Sequence, residues 1–174
     1  LRNIAGNAGI PVGLIYSYYK NKADLFDAIV RPVYAAIKHM LTAAESPNMP
    51  YEHKQNFHVQ VELPFLLHML KNNRREIIIL SDKSQGTVYE NTKEEFIRLT
   101  AEHIQAQLKY KLKDELEIDS LFYHMLANNF VESLLEIARH YKNEQWAEDM
   151  MRLFTQQYFS GVDSLLKDSY RVLG

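Results

Sequence analysis

Cysteine is absent from the 174 residues, which removes disulfides, thiolate nucleophiles and cysteine-based zinc sites together. Glycine and proline are scarce, at six and five residues, and strand-like alternation is rare. That composition belongs to an all-helical globular protein. No apolar run approaches the roughly 20 residues of a membrane span, and no secretory signal opens the chain, so a cytoplasmic location and no membrane partner are expected. A phosphate-cradling glycine loop, a Gly-x-Ser-x-Gly elbow and a His-Glu-x-x-His helix are also missing. The seven histidines, His39, His53, His58, His68, His103, His124 and His140, include no pair at i, i+4 spacing. No catalytic residue, metal or cofactor is therefore expected, and the chain does not read as an enzyme.

What is present is unevenly distributed. Twenty lysines and arginines against 22 acids give a net charge of −2, yet Arg2, Lys20 and Lys22 are the only charged residues before Asp24. A basic end on a slightly acidic protein suits a polyanionic partner. The same stretch reads as helix, tight turn, helix. Ile4, Ala5 and Ala8 repeat at helical spacing, Gly9 sits where a helix stops, and Ile15 with Tyr19 forms a second apolar stripe. Gly9 can adopt the left-handed conformation that turns the chain, and small Ala5 and Ala8 allow a close crossing of the two helices. Tyr16, Ser17, Tyr18 and Tyr19 add hydroxyls of the kind that bond DNA phosphates and base edges. The alternative is an ordinary helical hairpin with its tyrosines packed in a core.

The run Ile4-Ala5, Ala8-Gly9-Ile10, Gly13-Leu14-Ile15-Tyr16, Tyr19 and Lys22, followed by Asp24-Leu25, resembles the DNA-binding signature of the tetracycline-repressor (TetR) family of bacterial transcriptional regulators. The resemblance implies a helix-turn-helix head over residues 1–30 and an all-helical effector-binding and dimerisation domain over residues 31–174. It also implies that Pro11 to Tyr18 form the recognition segment, with Tyr16, Ser17 and Tyr18 nearest the DNA and Lys22 on a phosphate. Arg2, Val12, Gly13, Leu14 and Lys20 complete the expected DNA-facing set. Pro11, Val12 and Leu14 depart from the family pattern, which usually has polar, basic or small residues there. Proline cannot cap through its side chain, and Val12 and Leu14 offer only apolar contact, for example to a thymine methyl. The chain opens without Met, and the resemblance starts at the motif's first DNA-reading helix. The family's preceding scaffold helix, which would cover Ile4, Ala8 and Ile15, is therefore expected upstream of Leu1.

Beyond the head, Asn21 and Asp24 have capping positions for a helix reaching about Ala44. Pro32 falls inside it, where proline removes a bond to the Ala28 carbonyl. It shapes either a hinge that transmits ligand state or a static kink. A loop over residues 46–50 precedes an apolar helix from about Glu52 to Lys71. His58, Glu62, Phe65 and Met69 share a row on that helix, as a pocket wall with a polar anchor or as an exposed i, i+4 pair. A short helix over residues 74–82 contains the continuous run Ile77 to Leu80, and Ser84 to Gly86 breaks it. Thr92 to Glu95 has capping-box spacing for a helix bearing Phe96, Leu99, His103, Ile104 and Leu108. Two long helices, about Ile118 to Tyr141 and Glu144 to Lys167, close the chain.

By the resemblance, a small apolar or amphipathic effector lies among the middle helices. Its candidate lining is Phe57, His58, Glu62, Phe65, Met69, Phe96, Met125, Asn128, Asn129 and Glu132. The wide apolar faces of the last two helices call for a partner, and a four-helix bundle between two subunits would supply it. Phe130, Leu134, Met151, Phe154, Tyr158, Gly161, Val162 and Leu165 are its expected interface. The whole reading is a homodimeric repressor of a near-palindromic double-stranded DNA operator, released by a small-molecule effector. Its alternatives are a TetR-like ligand- or protein-binding dimer that does not bind DNA, and a helical enzyme using His58 and Glu62.

Overall fold

The computed structural model describes residues 1–43, 63–112 and 118–172. Among them are eight helices and no strand. They are α1 (Arg2–Ala8), α2 (Val12–Tyr18), α3 (Lys22–Ala43), α4 (Leu63–Asn72), α5 (Arg74–Asp82), α6 (Thr92–Leu112), α7 (Ser120–Arg139) and α8 (Glu144–Val172). The chain is all-α, as its composition implies. The expected start of a helix at Glu52, and the loop over residues 46–50, lie outside the described residues.

Local chemistry sets most boundaries. Gly9 ends α1 in the left-handed region (φ 65°, ψ 26°), and the reversed chain lets the Ile10 N–H donate to the Ala5 carbonyl at 3.1 Å. A side chain at that φ would be strained, which is why glycine stands there. Pro11 takes the cap position of α2, one residue before the first helical position. At α3, Asn21 Oδ1 accepts the Asp24 N–H at 2.9 Å while Asp24 Oδ2 accepts the Lys20 N–H at 3.0 Å. Asp119 Oδ1 likewise caps α7 by accepting the Leu121 N–H at 2.7 Å, and Asn143 Oδ1 accepts the Trp146 N–H at 2.9 Å in α8. Pro32 lies inside α3, which continues as one helix through it.

One local expectation fails. Thr92 is buried as the first helical residue of α6 and does not cap it from outside. The Glu95 carboxylate is drawn instead to side chains of α3, so it does not fold back to close a capping box.

Three apolar clusters hold the body together. In the first, Val30 and Val33 of α3 meet Met69 of α4, Leu80 of α5, Tyr89, and Phe96 of α6. The second joins Leu70 of α4 to Ile137 and Ala138 of α7 and to Ala147 and Met151 of α8, with the half-buried Trp146 against it. In the third, Ile97, Ile104 and Leu108 of α6 pack on Tyr123 and Ala127 of α7. The run Ile77 to Leu80 needs no strand to explain it. Ile77, Ile79 and Leu80 face the first cluster while Ile78 faces the second, so α5 is covered on two sides. Met69 and Leu70 divide α4 between the same two clusters. No helix among the described residues is long and apolar enough to cross a membrane.

Candidate nucleic-acid interface and a polar cleft

The first two helices pack chiefly on each other. Ala5 of α1 and Ile15 of α2 are the buried residues at their crossing. Ile15 is thus covered by the chain itself, while Ile4 and Ala8 remain exposed. The remaining side chains of α2 point largely outward: Leu14 is 47% exposed, Tyr16 52% and Tyr18 74%. Arg2, Pro11, Gly13, Ser17, Lys20 and Lys22 are also exposed, and Val12 is half-buried. The hairpin alternative, with its tyrosines in a core, does not describe Tyr16 or Tyr18. Tyr19 is half-buried, with its ring 6.4 Å from that of Tyr18. The Ser17 hydroxyl donates to the Leu14 carbonyl at 2.7 Å, which leaves its oxygen to accept. The first 22 residues thus expose phenols, the aliphatic Ile4, Ile10 and Leu14, and cations, with a carboxylate first at Asp24.

The helix that leaves the head is locked to the body by polar contacts beside the first core cluster. Asp27 accepts the Tyr89 hydroxyl at 2.6 Å and is also paired with Arg31. The Tyr89 hydrogen bond, with Arg31, holds the Asp27 carboxyl below the ordinary carboxylate value. Two turns further along α3, the Tyr34 hydroxyl donates to Glu95 Oε2 at 3.0 Å, and Lys38 Nζ reaches both Glu95 Oε1 at 2.8 Å and the Tyr34 oxygen at 3.0 Å. Burial works against the Glu95 charge, yet the hydrogen bonds from Lys38 and Tyr34 keep its carboxyl below the ordinary range. The Tyr34 ring stacks on Phe96 at 5.8 Å and meets the Tyr89 ring edge-on at 5.3 Å.

This lock forms one wall of a cleft of about 520 Å³ between α3, the segment after α5, and the start of α6. Tyr34, Val88, Tyr89, Asn91, Thr92, Glu95 and Arg98 line it. Val88 is 91% exposed. A second polar group lies across α5, α6 and α7. There Arg139 Nη2 contacts Asp82 at 2.6 Å, Arg139 Nη1 contacts Glu136 at 2.7 Å, and Lys93 contacts Glu132 at 2.8 Å. Asp82 is held below its ordinary value by Arg139, and Glu132 by Lys93.

The candidate effector residues do not line that cleft. Phe57, His58 and Glu62 lie outside the described residues. Phe65, Met69 and Phe96 belong to the first core cluster, Met125 and Asn129 are exposed, Asn128 is half-buried, and Glu132 is engaged by Lys93. Apolar residues at helical spacing have here gone to fill the core, which the same pattern also encodes.

Of the candidate interface residues, Phe130, Phe154 and Tyr158 form a half-buried aromatic group with centroids 5.1 to 5.9 Å apart, and Leu134 packs against the second cluster. Met151 is a correction. It is completely buried within its own chain, so no surface of it remains for a partner. Gly161 is exposed on α8, and the side chains of Val162 and Leu165 lie outside those described.

The sequence reading missed Tyr34, Tyr89, Glu95 and Arg98. Its available signals were the i, i+4 pairing of Tyr34 with Lys38 and the acidic first turn of α6. Neither reveals that residues 61 positions apart meet, as Tyr34 and Glu95 do. Among the described residues, no group of three or more histidines and carboxylates could hold a metal ion. Comparison with protein-family models, curated proteins and solved structures yields no match to this chain.

Proposed function

We propose that this chain is a DNA-binding transcriptional regulator of TetR type, acting as a homodimer and released from a near-palindromic operator by a small effector. The observation that carries the reading is the second helix of the head. It is anchored through Ile15 and leaves Leu14, Tyr16 and Tyr18 exposed. Lys20 and Lys22 follow it directly, supplying charge for phosphates beside side chains able to touch base edges. Dimerisation through α7 and α8 would bring two such heads to successive major grooves. Leu121 and Met125 of α7 and Leu153 of α8, each more than half exposed, favour a partner on these helices.

Selection of bound sequences from a random duplex pool tests the reading. Enrichment of a near-palindrome with half-sites about one or more DNA turns apart is the expected result. A folded dimer that enriches nothing sinks it.

A second reading, a dimer whose head serves protein contacts, is favoured by the apolar Val12 and exposed Leu14 at positions where the TetR pattern is polar or small. Salt separates the two readings, because phosphate contacts weaken steeply as salt rises and apolar contacts do not.

A further inference from the structure

We infer that α2 recognises a thymine by its C5-methyl group, through Leu14, and an exocyclic base amino group, through the oxygen of Ser17. The inference rests on the regulator reading and adds to it which atoms of the DNA are read.

One side chain fixes the rotation of α2. Ile15 is its buried residue, and at roughly 100° per residue the opposite side of the helix carries Gly13 and Ser17, flanked by Leu14 and Tyr16. Exposure agrees with this placement. All four are exposed, while Val12, on the side of Ile15, is half-buried. A Cβ at Gly13 would meet nothing within 4 Å, so the middle of the outward face is low and open. A partner lying on it comes within reach of the side chains on its flanks. Of the two aliphatic departures from the TetR pattern, it is Leu14 that points away from the chain.

Charge makes that partner a polyanion. Arg2, Lys20 and Lys22 are exposed, and no carboxylate precedes Asp24. The Asp24 carboxylate is itself turned back, accepting the Lys20 N–H at 3.0 Å. A single helix of this kind fits the major groove of double-stranded DNA.

The composition of α2 then limits what it can read there. It contains no Arg, Lys, Asn or Gln, the side chains that grip guanine or adenine with two hydrogen bonds. Leu14 can only pack, and the apolar group on a major-groove base edge is the thymine methyl. Ser17 has already committed its hydrogen, since its hydroxyl donates to the Leu14 carbonyl at 2.7 Å. The oxygen is left to accept, and the donors on that edge are the amino groups of adenine N6 and cytosine N4. Guanine offers only acceptors there, so it does not suit the Ser17 position.

The test uses the full chain and a duplex selected from a random pool. Thymines of the half-site are replaced one at a time by uracil, which lacks the methyl. Adenines are replaced by purine and cytosines by 2-pyrimidinone, which lack the amino groups. One thymine position should lose about fourfold in affinity, the worth of one buried methyl, and Leu14→Ala should bind the thymine and uracil duplexes equally. One adenine or cytosine position should lose several-fold, and Ser17→Ala should abolish that difference. The analogue that acts identifies the base carrying the amino group. Both side chains are exposed and the analogues alter only the DNA, so a folding defect cannot produce either difference.

A loss below about twofold at every uracil position overturns the Leu14 contact, as does a loss that persists in Leu14→Ala. A Ser17→Ala chain that still distinguishes the amino-free analogues overturns the Ser17 contact. Either result leaves the regulator reading standing, because a duplex is still bound. A folded dimer that enriches no duplex removes both.

Discussion

The head and the body of this protein are held in shape by different means. Through Asn21 the chain buries only Ala5 and Ile15, and its form rests on local backbone devices: the left-handed Gly9, the Pro11 entry to α2 and the Asn21 and Asp24 bonds at the start of α3. The body is held by three apolar clusters and by polar contacts between residues far apart in sequence. A surface free to meet a ligand must leave its side chains exposed, so it can contribute little to the core. The contrast teaches that in this chain the residues that hold the fold and the exposed residues of α1 and α2 are largely separate sets. Substitutions should therefore sort cleanly by region.

The largest effect should come from the body. Met151→Ala removes a completely buried side chain from the second cluster and should cost about 2–5 kcal/mol in urea unfolding. A loss under about 1 kcal/mol would mean that the cluster collapses around the gap, and the contrast with the head would weaken.

Gly9→Ala should cost roughly 1–2 kcal/mol, because an L residue must adopt the left-handed region. The site offers no steric obstacle, since a Cβ there meets nothing within 4 Å. The effect should appear as faster amide exchange in α1 and α2, with protection in α6 and α7 unchanged. Loss of protection throughout would show that head and body unfold as one unit.

Tyr34→Phe keeps the stack on Phe96 and deletes the hydroxyl shared by Glu95 and Lys38. It should cost about 0.5–1.5 kcal/mol, the net worth of a hydrogen bond, and should loosen α3 in preference to α7.

Acid should act on the body in the same sense. Glu95, Glu132 and Asp82 have folded values below their ordinary 4.5, 4.5 and 3.8. Each then stabilises the fold in full above its ordinary value and loses that contribution as pH falls through the lower folded one. Urea midpoints should be level from neutral pH down to about 5 and fall below that. A fall that begins near pH 6 would point to histidines instead.

The smallest effect on stability belongs to the head. Tyr16→Ala and Lys22→Ala should each change unfolding by less than about 0.5 kcal/mol, as exposed substitutions do. In the regulator reading both weaken DNA binding, and Lys22→Ala also lowers the salt slope by about one. Unaltered affinity in both variants would remove the proposed docking.

Parts of this molecule were legible in its sequence because their causes are local. Gly9 announces a helix end, and Asn21 and Asp24 a helix start, each through neighbours within four positions. The run Ile77 to Leu80 gave its burial but not the reason, which is a pair of clusters on opposite sides of α5. Site residues were less legible. A methionine at helical spacing reads alike whether it fills a core, as Met69 and Met151 do, or faces solvent, as Met125 does. The cleft was invisible because it depends on Tyr34, Tyr89 and Glu95 arriving from three separate segments.

Trp146 gives the separation of the two regions an optical consequence. It is the only tryptophan of the chain and lies against the second cluster, with Lys142 Nζ 5.7 Å from its ring. Its emission is thus a gauge of the packing of α4, α7 and α8 and is blind to the head. Tyr16, Tyr18 and Tyr19 of the head are three of the chain's eleven tyrosines, so tyrosine emission mixes both regions while tryptophan emission does not. Excitation that selects tryptophan therefore follows the unfolding of the body alone, without any label, whatever happens at α1 and α2.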